Sequence, residues 1–153
     1  MEQGEKIALR LLSRRWLTKR KLEEKLAARG LAPEEISSAI CRMEELGYLN
    51  DERYAEAWLR EKLAQGKWGP RRLKLEMVKQ GIEPQLAEKF LTQAFPPDSQ
   101  RERELALAVA RRKARQLDWD PAWRSKTGAA LARWGFSPEV IWRVLQTLTE
   151  ETP

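Results

Sequence analysis

The segment Leu22-Glu23-Glu24-Lys25-Leu26-Ala27-Ala28-Arg29-Gly30-Leu31-Ala32-Pro33 occurs, in outline, three times. A basic, leucine-bearing helix ends in glycine, and an apolar residue, one spacer and a proline follow. The same order runs from Leu73 to Gly81-Ile82-Glu83-Pro84 and, more faintly, from Leu131 to Gly135-Phe136-Ser137-Pro138. The glycines stand 51 and 54 residues apart, and the proline keeps its offset each time. An internal repeat of this length sets the architecture before any single element is read. Repeat architectures are most often surfaces for other macromolecules. A bundle grown by duplication, with no special surface, is the plainer alternative.

The repeats divide the chain into 1–50, 51–97 and 98–153, each expected to hold three helices. A module of roughly 50 residues is marginal alone, so neighbouring modules should pack together. The expected fold is therefore all-α: three tandem three-helix repeats in an elongated, curved, right-handed or solenoid-like array. No segment alternates as a strand does.

In the first two modules the first helix carries an i, i+1, i+4, i+5 apolar stripe: Ile7, Ala8, Leu11 and Leu12, then Tyr54, Ala55, Trp58 and Leu59. The third module's opening helix should start near Ser99 and bury Leu105, Ala108 and Val109, with Arg111, Arg112, Lys113 and Arg115 towards its end. Second helices begin at Thr18, at Pro70 and near Arg124 or Ser125, and stop at the three glycines, which suit a left-handed C′ residue. Third helices start at Pro33, Pro84 and Pro138, where the missing N–H has no intrahelical partner to lose. Asp51 and Ser137 are expected as N-caps.

The chain carries 29 Lys and Arg against 23 Asp and Glu, and this +6 balance favours an anionic partner, nucleic acid first. Solvated helix faces rich in Lys and Glu are the competing explanation. One cysteine, Cys41, excludes an intrachain disulfide, and the absence of histidine removes the commonest metal ligand and general base. No Walker loop, metal-ligand cluster or nucleophile with its base is present, so the expectation is a non-enzyme without cofactor or metal. Adjacent carboxylates such as Glu34-Glu35 read as solvated helix faces. The start of the chain lacks a secretory pattern, and the most apolar stretch, Leu105 to Ala110, is too short to cross a bilayer. A cytoplasmic, monomeric protein is expected.

The sharpest chemical clue is a broken rule. Helix N-termini favour acids, and the third helices comply with Glu34-Glu35 and Glu139, but the second helices open on cations. Lys19, Arg20 and Lys21 follow Thr18; Arg71, Arg72 and Lys74 follow Pro70; Arg124 and Lys126 mark the third. A shift of 51 places Arg20 and Lys21 on Arg71 and Arg72. A cation in a first turn costs about 0.3–1 kcal/mol at low salt. An anion bound there reverses the penalty. Rules broken without compensation mark functional sites. Glu23 and Glu24 are spaced to neutralise part of the first cluster. If the cations serve binding alone, replacing Arg71, Arg72 and Lys74 leaves the fold intact. Trp68, between Gly66 and Gly69, either caps the core or stands beside the cations as an anchor.

Leu46-Gly47-Tyr48-Leu49-Asn50-Asp51 with Tyr54-Ala55 and Trp58, then Gly66-Lys67-Trp68-Gly69-Pro70-Arg71-Arg72-Leu73 and Lys79-Gln80-Gly81-Ile82, resembles the RecX family of bacterial recombination regulators. The likeness runs from Ala8 to Leu148. It weakens in the third repeat, where Thr127 and Gly128 replace Leu73 and Lys74. The resemblance implies a modulator of the RecA recombinase in recombination, DNA repair and the SOS response. Such a protein lies along the groove of the RecA filament on single-stranded DNA and usually inhibits its ATPase, strand-exchange and coprotease activities. The residues carried over are Lys67, Trp68, Arg71, Arg72 and Lys74, with Arg20 and Lys21 matching by repeat position. A direct nucleic-acid-binding module without a RecA partner is the other open reading, with steep salt dependence as its mark.

Overall fold

The computed structural model describes residues 2–97 and 100–152. Among these the regular secondary structure is wholly helical: α1 (Glu2–Arg14), α2 (Lys19–Ala28), α3 (Pro33–Glu45), α4 (Asp51–Gln65), α5 (Pro70–Lys79), α6 (Pro84–Ala94), α7 (Arg101–Gln116), α8 (Trp123–Arg133) and α9 (Pro138–Glu151). The fold is all-α, three groups of three helices in tandem. Helices begin at Pro33, Pro70, Pro84 and Pro138 as the sequence requires. Helix α8 starts one residue before the expected Arg124. Ser99, expected near the start of α7, lies outside the described residues.

Two cap expectations are corrected. Asn50, not Asp51, caps α4: its Oδ1 accepts the Arg53 N–H at 3.0 Å, while Asp51 is already helical. Ser137 makes no side-chain cap; its own N–H donates to Glu102 Oε2 at 2.8 Å. The Glu102 carboxylate from α7 instead fixes the backbone of the cap residue.

The chain packs as two compact units, Met1–Trp58 with Met77–Ala87 and Leu59–Glu76 with Glu88–Pro153. In the first, α1 lies against α3, with α2 closing on both. Ala8, Leu12, Leu22, Leu26, Ile40 and Met43 form the core, joined by Leu17 and Leu49 from the joints between helices. Each leucine buried this fully contributes about 1.5–3 kcal/mol. In the second unit α7 packs on α8 and α9 around Ala106, Val109, Ala110, Leu131, Phe136, Val144 and Leu148. Ala108, expected inside, is exposed, because the buried stripe of α7 runs through Ala106, Val109, Ala110 and Ala114.

Candidate functional site

One cation at each of the first two second-helix starts, Arg20 and Arg72, meets an anion surrogate within the protein. In the first unit, the start of α2 abuts the end of α5. Thr18, fully buried, caps its own helix by accepting the Lys21 N–H at 3.3 Å, and its Oγ1–H donates to the Gln80 carbonyl at 2.7 Å. Arg20 reaches the same helix end, donating to the carbonyls of Val78 and Lys79 at 2.9 Å each. Those carbonyls belong to the last turn, which carries the negative end of the helix dipole. Gly81 makes the approach possible: its φ is +103°, and a Cβ there would lie 3.2 Å from both the Thr18 and Arg20 Cβ atoms. Asp51 adds a contact the sequence hid, accepting the Lys19 N–H at 2.9 Å and so capping α2 from another helix. Burial pushes the Asp51 carboxyl above the usual carboxylate range, against the lowering effect of that hydrogen bond. Tyr54, whose hydroxyl meets Gln80 Oε1 at 3.3 Å, is likewise raised, mainly by burial.

The second unit repeats the arrangement where α5 starts against the end of α8. Here backbone replaces side chain: the Gly69 N–H donates to the Trp134 carbonyl at 2.7 Å and the Arg71 N–H to the Gly135 carbonyl at 3.0 Å. Arg72 donates to the Arg133 carbonyl at 3.2 Å and pairs with Glu76 at 3.0 Å. The fit leaves no room for a side chain. A Cβ on Gly69 would lie 2.7 Å from the Gly135 oxygen, and one on Gly135, at φ +90°, would lie 2.7 Å from the Arg72 Cα.

Two of the seven predicted residues, Arg20 and Arg72, therefore serve the fold by holding helix ends. Replacing Arg72 removes a bond to the Arg133 carbonyl as well as a cation, so this residue is distinguished from Arg71 and Lys74 by a contact with another helix end. By sequence offset Arg20 matches Arg71; by contact it does the work of Arg72.

The others differ in their freedom. Arg71 and Lys67 are exposed, with no side-chain hydrogen bond or ion pair among the described residues. Lys74 pairs with Glu88 at 2.8 Å and Lys21 loosely with Glu24 at 3.9 Å, both in solvent where such pairs contribute little. Trp68 is half-buried, with the Arg72 guanidinium 4.8 Å and the Lys62 ammonium 5.0 Å from its ring centre. Its part is a cation–π one that steadies both cations. The structure also brings in residues the sequence did not assign to the site. Lys67 shares a cleft of about 320 Å³ with Arg112 and Lys113 of α7, and Arg112 donates to the Gly66 carbonyl at 2.7 Å. Their run of basic residues was visible; its meeting with Lys67, about 45 positions away, was not.

In the third repeat Arg124 turns onto the following helix, α9, and Lys126 stays exposed beside Asp120. Arg124 donates to the Leu145 carbonyl at 3.5 Å, to Gln146 Oε1 at 3.4 Å and to Thr149 Oγ1. Lys126 pairs with Asp120 at 3.0 Å, and that bond holds the Asp120 carboxyl below the usual range. Among the described residues, no group of three or more His, Cys, Asp or Glu could hold a metal ion. No helix there is long and apolar enough to cross a membrane.

Family models for the first, second and third three-helix domains of RecX match residues 6–43, 50–91 and 100–145. Regulatory protein RecX of Streptomyces coelicolor is 33% identical over 99% of this chain and 80% of its own length. That of Thermus thermophilus is 33% identical over 86% of this chain and 90% of its own. The crystal structure of RecX from Lactobacillus salivarius superposes with a TM-score of 0.83 at 26% identity, covering 97% of this chain and 96% of that one. With all three domains matched in order and relatives of this likeness along nearly its whole length, the chain belongs to the RecX family.

Proposed function

We propose that this protein regulates the RecA recombinase, most simply as an inhibitor, by lying along the groove of the RecA filament on single-stranded DNA. There it lowers ATPase, strand-exchange and coprotease activity. The observation that supports this best is the ordered match of all three RecX domains along the chain. The relatives carry the name of regulatory proteins, and regulation without a catalytic centre requires a binding surface. In this reading the modules 1–50, 51–97 and 98–153 act in tandem as a monomer. Lys67, Arg71 and Lys74 meet phosphates or acidic groups of the filament, with Lys21 the matching cation of the first repeat. Trp68 orders this surface, and Arg20 and Arg72 hold the helix ends that carry it.

The test is ATP turnover by the cognate RecA on single-stranded DNA while this protein is titrated. Sub-stoichiometric amounts, relative to RecA monomers, should lower turnover. Unchanged turnover at saturating, folded protein would refute the reading. Lys67→Gln, Arg71→Gln and Lys74→Gln together should then weaken inhibition more than Arg101→Gln, Arg103→Gln and Arg143→Gln, which remove the same charge. Equal losses would mean that bulk charge alone matters.

A further inference from the structure

Two joints of the first unit are built alike. Trp16-Leu17-Thr18 enters α2 and Tyr48-Leu49-Asn50 enters α4, each an aromatic residue, a leucine and an N-cap. The leucines are driven into the core, 6% and 3% exposed, and the aromatic before each is left outside, Trp16 at 55% and Tyr48 at 54%. Both rings border adjoining clefts. One is lined by Trp16, Leu46, Tyr48, Asn50 and Arg53; the other, of about 490 Å³, by Arg15, Trp16, Lys21, Lys25 and Gln80. Trp16, Leu17 and Tyr54 belong to both.

Charge is lopsided along these walls. Arg15, Lys21, Lys25 and Arg53 face one acid, Glu24, which already lies 3.7 Å from Arg20 and 3.9 Å from Lys21. Arg15, Lys25 and Arg53 make no side-chain hydrogen bond or ion pair among the described residues. Exposed rings beside unpaired cations form a stacking platform within a basic groove, the combination that holds single strands irrespective of sequence.

We propose that this pair of clefts is a binding site for single-stranded nucleic acid, with bases stacked on Trp16 and Tyr48 and phosphates on Arg15, Lys25 and Arg53. A duplex suits it poorly, since paired bases stack on each other and offer no free face. A protein segment suits it less than a strand does, because the exposed apolar side chains of the lining are Trp16, Tyr48 and Leu46, with Leu12 and Leu17 buried, beside polar walls of Asn50 and Gln80. The site uses none of the Gly66–Lys74 residues, shares only Lys21 with the surface proposed above and needs no recombinase, so binding measured without RecA tests it apart from that function.

The experiment is fluorescence anisotropy of a labelled oligothymidylate of about 16 nucleotides with the full chain and no RecA. Trp16→Ala and Tyr48→Ala should each weaken binding about tenfold, and Trp16→Phe, which keeps a ring, should weaken it much less. Trp142→Ala removes a tryptophan as exposed, at 60%, outside the clefts and should change nothing. Arg15→Gln with Arg53→Gln should flatten the salt dependence by about 0.7 for each phosphate no longer neutralised. Thermal melts establish that each variant is folded. Binding that is absent in the wild type, unchanged in both aromatic variants, equally weakened in Trp142→Ala, or as tight for a duplex would overturn the proposal. So would variants that fail to bind only the RecA filament and keep the oligonucleotide, which would make the clefts a protein-binding surface.

Discussion

The start of α2 on the end of α5 and the start of α5 on the end of α8 solve one problem with different chemistry. The first uses a threonine hydroxyl, donated to the Gln80 carbonyl, and the second a glycine N–H, donated to the Trp134 carbonyl. In both an arginine two positions or a little further on finishes the job on the neighbouring carbonyls. The task is to satisfy the open carbonyls of one second helix with the start of another, and the chain is free to change the donor so long as the geometry survives. The glycine version brings backbone against backbone and tolerates no side chain. The threonine version keeps one methyl and one hydroxyl between the helices, and Gly81 leaves them room.

The difference is open to test through substitution. Gly135→Ala should have the largest effect, destabilising the fold by about 3–5 kcal/mol, since it combines a left-handed conformation with overlap against the Arg72 backbone. Gly30→Ala, also at positive φ but with no atom within 4 Å of the added Cβ, should cost only about 1–2 kcal/mol by denaturant unfolding. Equal effects at the two sites would show that conformation, not close approach, requires glycine at 135.

Thr18→Val should come next. It keeps the shape but removes both the cap on Lys21 and the bond to Gln80, a cost of about 1–2 kcal/mol that Thr18→Ser should largely restore. Arg72→Gln should cost more than Arg20→Gln, each about 0.5–1 kcal/mol since both side chains keep a third or more of their surface in water. Only the Arg72 change should also loosen Trp68, seen as a shift in tryptophan fluorescence.

The smallest effect separates two carboxylates near helix starts by the sign of their pH dependence. Asp51 is raised by burial, so its ionised form costs stability at neutral pH, and that cost disappears as pH falls through its folded pKa. Asp120 is lowered by Lys126, so it contributes stability above the ordinary carboxylate range and gives it up as pH falls. Asp51→Asn, whose amide oxygen still accepts from Lys19, should therefore raise the thermal midpoint at pH 7. Asp120→Asn should lower it. Both differences should vanish in acid. A fall for Asp51→Asn at pH 7 would mean that its hydrogen bond outweighs its burial.

Helix number, order and starts were legible because glycine and proline act through local backbone geometry, which travels with the sequence. The family was legible for the same reason, in the Gly-Tyr-Leu-Asn-Asp joint and the Pro-Arg-Arg-Leu helix start. What the sequence could not show was where each cation points. Arg20 and Arg71 share a repeat position, yet one is tied to a helix end and the other is free. That outcome depends on residues about 60 positions away. Asp51 looked like a cap for its own helix and proved to cap another, since burial brings it within reach of Lys19. The exposed rings of Trp16 and Tyr48 were hidden by the apolar character they share with core residues, which pattern alone cannot divide.

The contacts of Arg124 set the third repeat apart from the two before it. Each earlier second helix relies on a successor: Thr18 needs the carbonyl of Gln80, and Gly69 that of Trp134, so neither start is complete until a stretch made more than 60 residues later is in place. The third repeat breaks the dependence by turning its cation on α9, its own following helix. A shortened chain that stops after α6 would leave the start of α5 waiting for a partner.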